Sequence, residues 1–317
     1  MINKKLRNTL LKIFGTFSAI IIILAFALYG PFDWIRDTWV TSAMTTLSHQ
    51  WMATSLFSKE AISTIMKKHS IVLPNETTDQ SLITVNKDAE NKCELININK
   101  SQFRGYLLKI YNPEKVRLVA CSNLGERGEK LDEMVNSYKA IAAINGSGFM
   151  DTSGHTKGGV PTGLIMSDKN IYYSDHDYYN NIVGLTYDGK LALGVYSKEE
   201  LLKSNVRDAV SFDPILIING KPTKINGNGG WGIAPRTAIG QTKDGVLMFL
   251  VIDGRQLSSV GATVKDVQDI FIEYGAINAA NLDGGSSSIM MYNGKTVNFP
   301  PSSKTGRYLP SAFIVES

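Results

Sequence analysis

Two hydrophobic periods divide this chain. No charge appears between Lys12 and Asp33, and the run "IFGTFSAIIIILAFALYGPF" is apolar on every side and about long enough to cross a bilayer. A helix with no polar face at the end of a chain predicts a transmembrane anchor over 13–32 and not a buried core helix. Residues 34 to about 68 then carry helical apolar spacing with Ser and Thr between, and Ser58 is placed to cap "KEAISTIM". The polar, turn-rich "LPNETTDQS" follows, so 33–81 reads as a membrane-proximal helical stalk, a docking pair of helices, and a linker.

From residue 82 the period shortens. "CELININ", "FRGYLLKIY" and "VRLVACS" are short alternating or apolar runs, and further strands are predicted in "KAIAAIN", "TGLIMSDKNIYYS", "IVGLTYDGKLALGVY", "PILIINGKP", "RTAIGQTKDGVLMFLVID" and "SIMMYNGKTV". Asp188-Gly189, Asn219-Gly220, Asp244-Gly245 and Asn293-Gly294 mark hairpin turns. Only "EKLDEMVNSY" and "VKDVQDIFIEY", the second capped by Thr263 and stopped by Gly275, have firm helical spacing. The expectation is an α+β domain over 82–317, a mixed, largely antiparallel sheet core with few helices, preceded by the transmembrane helix.

At 317 residues, 43% hydrophobic and 20% charged, the composition is that of an ordinary globular protein. Of the formal charge of +4, Lys4, Lys5, Arg7 and Lys12 lie in the first dozen residues, so the remainder is near neutral. That balance excludes the basic stripe nucleic acid requires. The same cluster predicts that 1–12 stays in the cytoplasm, giving a single-pass cell-membrane protein with an extracytoplasmic domain. Ala25-Phe26-Ala27 offers the rival of a cleaved signal peptide, which the apolar run disfavours by continuing past it. Cys93 and Cys121 are too few for a disulfide framework and read as two buried thiols. His49, His69 and His176 read as surface or packing residues.

Four Gly-rich clusters carry groups able to do chemistry. They are "NGSGFMDTSGHTKGG" with Asn145, Gly146, Asp151 and His155, "GWGIAPRTAIG" with Arg236, "VIDGRQ" with Asp253 and Arg255, and "NLDGGSSS" with Asn281, Asp283, Gly284, Gly285 and Ser286. Charged residues at the ends of buried strands suit a site held on a rigid scaffold, although Asp-Gly is equally a hairpin turn. "YKAIAAINGSG" and "YGAINAANLDGG" echo each other after a helix, matching Asn145 to Asn281 and placing both loops on one rim. Paired carboxylates suit glycosidic cleavage; guanidinium groups with N–H-lined loops suit a phosphate. Asp151, His155 and His176 match no familiar metal spacing, and neither a metal nor another cofactor is expected.

In this order the clusters resemble the phosphodiester glycosidase family. The residues carrying the resemblance are "AAINGSGFMD", "PTGLIMSDKNIYYS", "PRTAIGQTKDGVLMFLVIDGR" and "ANLDGGSSSIMM", across roughly 82–317. The resemblance implies hydrolysis of a sugar-1-phosphodiester, with motif positions at Asn145, Gly146, Asp151, Arg236, Asp253, Arg255, Asn281, Asp283, Gly284 and Gly285. On that reading Asp283 and Asp253 carry the acid and base work, with Asp151 a further catalytic candidate. Arg236 and Arg255 hold the phosphate, Asn145 and Asn281 fix sugar hydroxyls or the loops, and Ser286 faces the ligand. The chain departs from the family pattern at Ser147-Gly148 and at Ser286, where glycines are common, which bears on the sugar more than on the reaction. The substrate expected for the location is a glycosyl phosphodiester or envelope polysaccharide. Two rivals remain: a non-catalytic glycan-binding or exopolysaccharide-assembly protein, for which Trp231, Tyr172, Tyr173, Tyr178 and Tyr179 offer aromatic platforms, and a phosphodiesterase that breaks the P–O bond.

Overall fold

A computed structural model describes residues 4–46, 48–151 and 156–317; His155 lies outside them. Three antiparallel sheets form the domain, one of seven strands and two of five. The larger runs, in spatial order, Lys221–Pro222, Ile215–Ile218, Ala276–Leu282, Arg236–Thr242, Leu247–Ile252, Arg104–Ile110 and Cys93–Asn99. A second sheet centres on Ala140–Asn145, between Met290–Tyr292 and Ser311–Glu316. The third centres on Val206–Ser211, between Leu164–Ser167 and Tyr178–Thr186.

One core is shared by all three. Phe249, Val251, Ile239 and Leu282 of the first sheet meet Leu118, Ile144 and Phe313 of the second and Ile165, Val183 and Val210 of the third. The outer face of each sheet is covered by a helix. Val264–Glu273 lays Val267, Ile270 and Phe271 on the first sheet, and Leu131–Tyr138 lays Leu131, Met134 and Val135 on the second. The short Lys198–Lys203 inserts Leu201 against the third. Burial on both faces explains why Leu247–Ile252 shows no polar alternation. The Lys198–Lys203 helix, set by a Ser197/Glu200 capping box, is too short for its period to be read from sequence.

All four predicted hairpin turns form, and at Asn219-Gly220 and Asn293-Gly294 both central residues have positive φ, as a type I′ turn requires. A fifth, in "TGLIMSDKNIYYS", turns at Asp168-Lys169 with φ of 47° and 65° and no glycine. Tertiary contacts hold it: Asp168 N–H donates to Asp208 Oδ1 (2.9 Å), and Lys169 Nζ donates to the carbonyls of Leu201 and Leu202.

At the N-terminus Lys4–Tyr29 is one helix, and its Arg7–Tyr29 stretch, mean hydropathy 2.3 over its most apolar and unburied part, is long enough to span a membrane. The stalk holds three helices where a pair was expected: Asp33–Met44, Trp51–Thr54 and Lys59–Lys68, the last capped by Ser58. They pack on the domain. Buried Asp37 accepts from Lys68 Nζ (2.7 Å) and pairs with His69 Nε2 (2.9 Å), while His69 Nδ1 accepts Asn228 N–H. The linker is fastened too, since Thr78 exchanges hydrogen bonds with Leu193 on an edge strand. The cysteines are free, and burial pushes both thiols up to about 11.

Candidate functional site

The site gathers where three neighbouring strands of the large sheet end together. Thr237 pairs with Leu282 on one side and Val251 on the other, so Arg236 begins its strand beside the end of Ala276–Leu282 and opposite Ile252. Asp283 and Asp253 therefore leave the same sheet edge two strands apart, about 10 Å between their backbones. The loop after Ala140–Asn145 joins them. Asn145 Nδ2 donates to the Asp283 carbonyl at 2.6 Å, Asn145 Oδ1 accepts from Thr237 Oγ1 at 2.8 Å, and Asp283 N–H meets the Gly146 carbonyl. The two echoing loops thus share one rim, and buried Asn145 is the pin between them.

Asp283 is the most strongly perturbed carboxylate here. Burial pushes it up to about 6, against the Ser287 hydroxyl, nearby Arg307 and the Gly284 N–H, which favour the charged form; Asp151 pushes it further up. Part of Asp283 still reaches solvent, so the shift comes from close packing around the carboxylate and not from sealing the residue off. Asp151 goes the other way. Burial alone would raise it, but Arg307 Nη1, 2.5 Å from Oδ2, and the Thr156 N–H hold it below the usual carboxylate range.

Arg307 is the residue that sequence reasoning missed. It lies over the Phe149 ring at 4.7 Å, donates to Ser286 Oγ, and ties the first loop to the last. Its loop, "SSKTGRYLP", has no strand period and no acid beside it, so no local signal marks it. Asp213, one residue before the predicted strand "PILIINGKP", was missed as well. Its Oδ2 accepts from Asn181, its carbonyl accepts from Asn281 Nδ2, and burial raises its carboxyl. Asp213 Oδ1, Asn281 Oδ1 and Ser288 Oγ are buried without a partner among the described residues. Phe212 faces Trp231 at 6.3 Å between ring centres, beside this group.

The remaining positions divide into open and braced. Arg255 is exposed, makes no ion pair or hydrogen bond through its guanidinium among the described residues, and a Cβ on Gly285 would sit 3.4 Å from its Nη2. Gly285 has φ of 60°, and its N–H donates to the Pro235 carbonyl, while a Cβ on Gly284 would be 3.0 Å from that same oxygen. Side chains are thereby kept off the loop under Arg255. Arg236 is buried; its Nε donates to Ala262 O and its Nη2 to Trp231 O and Gly232 O, and Nη1 has no partner among the described residues. Burial lowers it to about 10. Asp253 is buried and braced, accepting from Phe299 N–H (2.8 Å) and Asn298 Nδ2, the latter also bonded to Ser288 O. Of the aromatic candidates only Trp231 joins the cluster. Tyr172, Tyr173, Tyr178 and Tyr179 belong to the third sheet, His176 lies beside them, and no group of three potential metal ligands assembles among the described residues. A surface cleft of about 690 Å³ lies at the opposite end of the large sheet, lined by Lys109, Tyr111, Lys243 and Tyr274; it lacks the paired carboxylates of the loop cluster.

An α+β scaffold that turns several strand ends toward one rim, with carboxylates and arginines on the loops, brings together groups that can meet an oxygen-rich ligand. More specifically, the chain belongs to the phosphodiester glycosidase family, an enzyme family whose model matches residues 138–316. It is 31% identical over 181 residues to the SPbeta prophage-derived uncharacterized protein YomE of Bacillus subtilis, covering 54% of this chain and 27% of that one. It is 27% identical over 191 residues to human N-acetylglucosamine-1-phosphodiester alpha-N-acetylglucosaminidase, covering 55% and 36% respectively. The match thus spans about a third or less of these relatives' length. In fold it is similar to the catalytic domain of the zebrafish enzyme of that name, a structure auto-inhibited by its pro-peptide, with a TM-score of 0.61, 21% identity, and 76% of this chain and 88% of that one covered.

Proposed function

We propose that this protein is a membrane-anchored hydrolase that cleaves the C1–O bond of a glycosyl phosphodiester, releasing sugar and phosphomonoester. The observation carrying this reading is the opposed tuning of Asp283 and Asp151 around Arg307. Two carboxyls pushed apart in acidity suit an acid and a base or nucleophile. A proton near 6 on Asp283 matches the leaving phosphomonoester, whose own second ionisation lies at about 6. Asp283 would pass that proton to the departing phosphate oxygen as C1–O breaks, while ionised Asp151 attacks C1 or activates the water that does. In this reading Asp253, whose carboxyl burial raises, braces the Asn298 loop. Arg255, with Nη1 of Arg236, would meet the phosphate; Asp213 and Asn281 would accept sugar hydroxyls beside Phe212 and Trp231.

The apolar N-terminal helix, with the basic cluster before it, supports an anchor and an extracytoplasmic domain, and an envelope glycan as substrate follows from that location. Retention of the anchor is favoured because Phe26 and Tyr29 pack on Phe32 and Phe57. Hydrolysis of sugar-1-phosphodiesters in ¹⁸O-water tests the reaction: the label is expected in the sugar. Label in the phosphate would mean P–O cleavage, and glycan binding without product would mean a binding protein.

A further inference from the structure

The three stalk helices bridge the apolar N-terminal helix and the candidate site. Tyr29, the last residue of the Arg7–Tyr29 stretch, donates its hydroxyl to the Leu56 carbonyl (2.6 Å) and packs on Phe57 at 5.4 Å, so residues 51–57 lie against the end of the span. On the same module Trp34 is 70% exposed and Trp51 63%, with Phe32, Tyr29 and Leu56 exposed nearby. Trp39, between them, is fixed by donating to Met52 O. Large exposed aromatics next to the end of a membrane span are what the headgroup layer stabilises, because the ring is apolar and the indole N–H stays wet. Continuity with the span selects lipid as the occupant of this face.

The other end of the same helix reaches the site. Ser42 lies eight positions after Trp34. At 1.5 Å per residue it is no more than about 12 Å farther from the membrane, whatever the tilt. Ser42 Oγ accepts Ile233 N–H at 3.0 Å, and Thr41 Oγ1 accepts Asn228 Nδ2 at 2.8 Å. That Gly-rich loop carries Trp231 and Gly232, the carbonyls on which Arg236 is fixed, and Pro235 follows, holding Gly285. Adding the reach of those few residues keeps the Asp283–Gly285 loop within roughly 30 Å of Trp34.

We infer that the substrate is presented by the membrane itself: a glycosyl phosphodiester whose aglycone is a lipid lying in the leaflet that seats Trp34 and Trp51. This rests on the proposed reaction and names its substrate class. The site then works on phosphodiesters at the lipid surface, and the aromatic seat sets its height above them.

The test uses the full chain in vesicles of phosphatidylethanolamine and phosphatidylglycerol. N-acetylglucosamine-1-phosphate esterified to hexadecanol, held in the bilayer, is compared with the same group esterified to ethanol, in water. The hexadecyl ester is expected to turn over at least 10-fold faster, and a Trp34→Ser/Trp51→Ser variant is expected to lose that advantage while hydrolysing the ethyl ester as before. Equal rates on the two esters overturn the inference and leave the reaction standing. Hydrolysis of neither, for this and other sugar heads, overturns both. Brominated lipids should quench the wild-type tryptophan fluorescence more than that of the double variant; equal quenching contradicts the seat independently of any sugar.

Discussion

Arg307 favours the charged form of both Asp151 and Asp283, but it contacts only Asp151 directly, so burial prevails at Asp283 and the cation at Asp151. Removing that cation should therefore raise Asp151. In Arg307→Ala the rising limb of the pH–rate profile is expected to move to higher pH and turnover to fall by about 100-fold or more, with Arg307→Lys retaining more of both. Asp283 also carries a stability cost. Its folded-state pKa of about 6 lies above the ordinary 3.8, so the folded protein binds its proton more tightly, and stability is lost as pH rises from about 3.8 through 6. Asp283→Asn is thus expected to raise the melting temperature at pH 7 to 8, by about 1–3 kcal/mol in stability, and to leave it little changed near pH 4. Asp253 and Asp283 were legible because each follows an apolar strand and meets Gly. Arg307 was not, since its partner Asp151 is distant in sequence and only the fold joins them. Arg236 was legible as a site-edge arginine, but its two carbonyl-bound nitrogens depend on a loop geometry that no local pattern encodes.

At the scale of elements, the second and third sheets are locked by a buried charge. Asp208, with no exposed surface, accepts Arg207 Nε (2.8 Å) and the Leu118 N–H (3.2 Å), and Arg207 also donates to the Val116 carbonyl. Asp208→Ala leaves Arg207, only 5% exposed, unpaired, and is expected to cost about 3–5 kcal/mol in chemical denaturation. Asp208 also holds the Asp168-Lys169 turn, which explains why that hairpin was read as one strand: its left-handed residues are stabilised by side chains from elsewhere and not by glycine. Hairpins whose turns carry Asn-Gly or Asp-Gly, and helices with a full apolar stripe, were readable because their causes are local. The assembly of three sheets around one core was not, because period-2 patterns identify strands and not their neighbours.

Across the whole molecule the stalk is part of the folded body. Asp37, 1% exposed, ties the stalk helices to one another and orients His69, which accepts Asn228 N–H of the domain. Burial raises its carboxyl, but Lys68, His69 and Arg36 together hold it below 3.8. A depressed acid contributes stability above its unfolded pKa and loses it as pH falls through the folded one. Asp37→Asn is therefore expected to loosen 33–69 from the domain at neutral pH, by about 1.5–3 kcal/mol, with the difference from wild type closing below about pH 3.8. Limited proteolysis near residue 73 should report it. The sequence marked this segment as helical and membrane-proximal through its spacing, but its docking depends on the Gly-rich 226–233 loop, whose partners lie far away in the chain.

The central claim is that Asp283 delivers the proton to the leaving phosphate. The most direct measurement is the pH dependence of kcat/KM for a sugar-1-phosphodiester with the full chain, beside Asp283→Asn. Activity is expected to fall as pH rises through about 6, and the variant to lose at least about 100-fold in rate together with that limb. A falling limb near 6 that persists unchanged in Asp283→Asn, or wild-type turnover by that variant, would contradict the account.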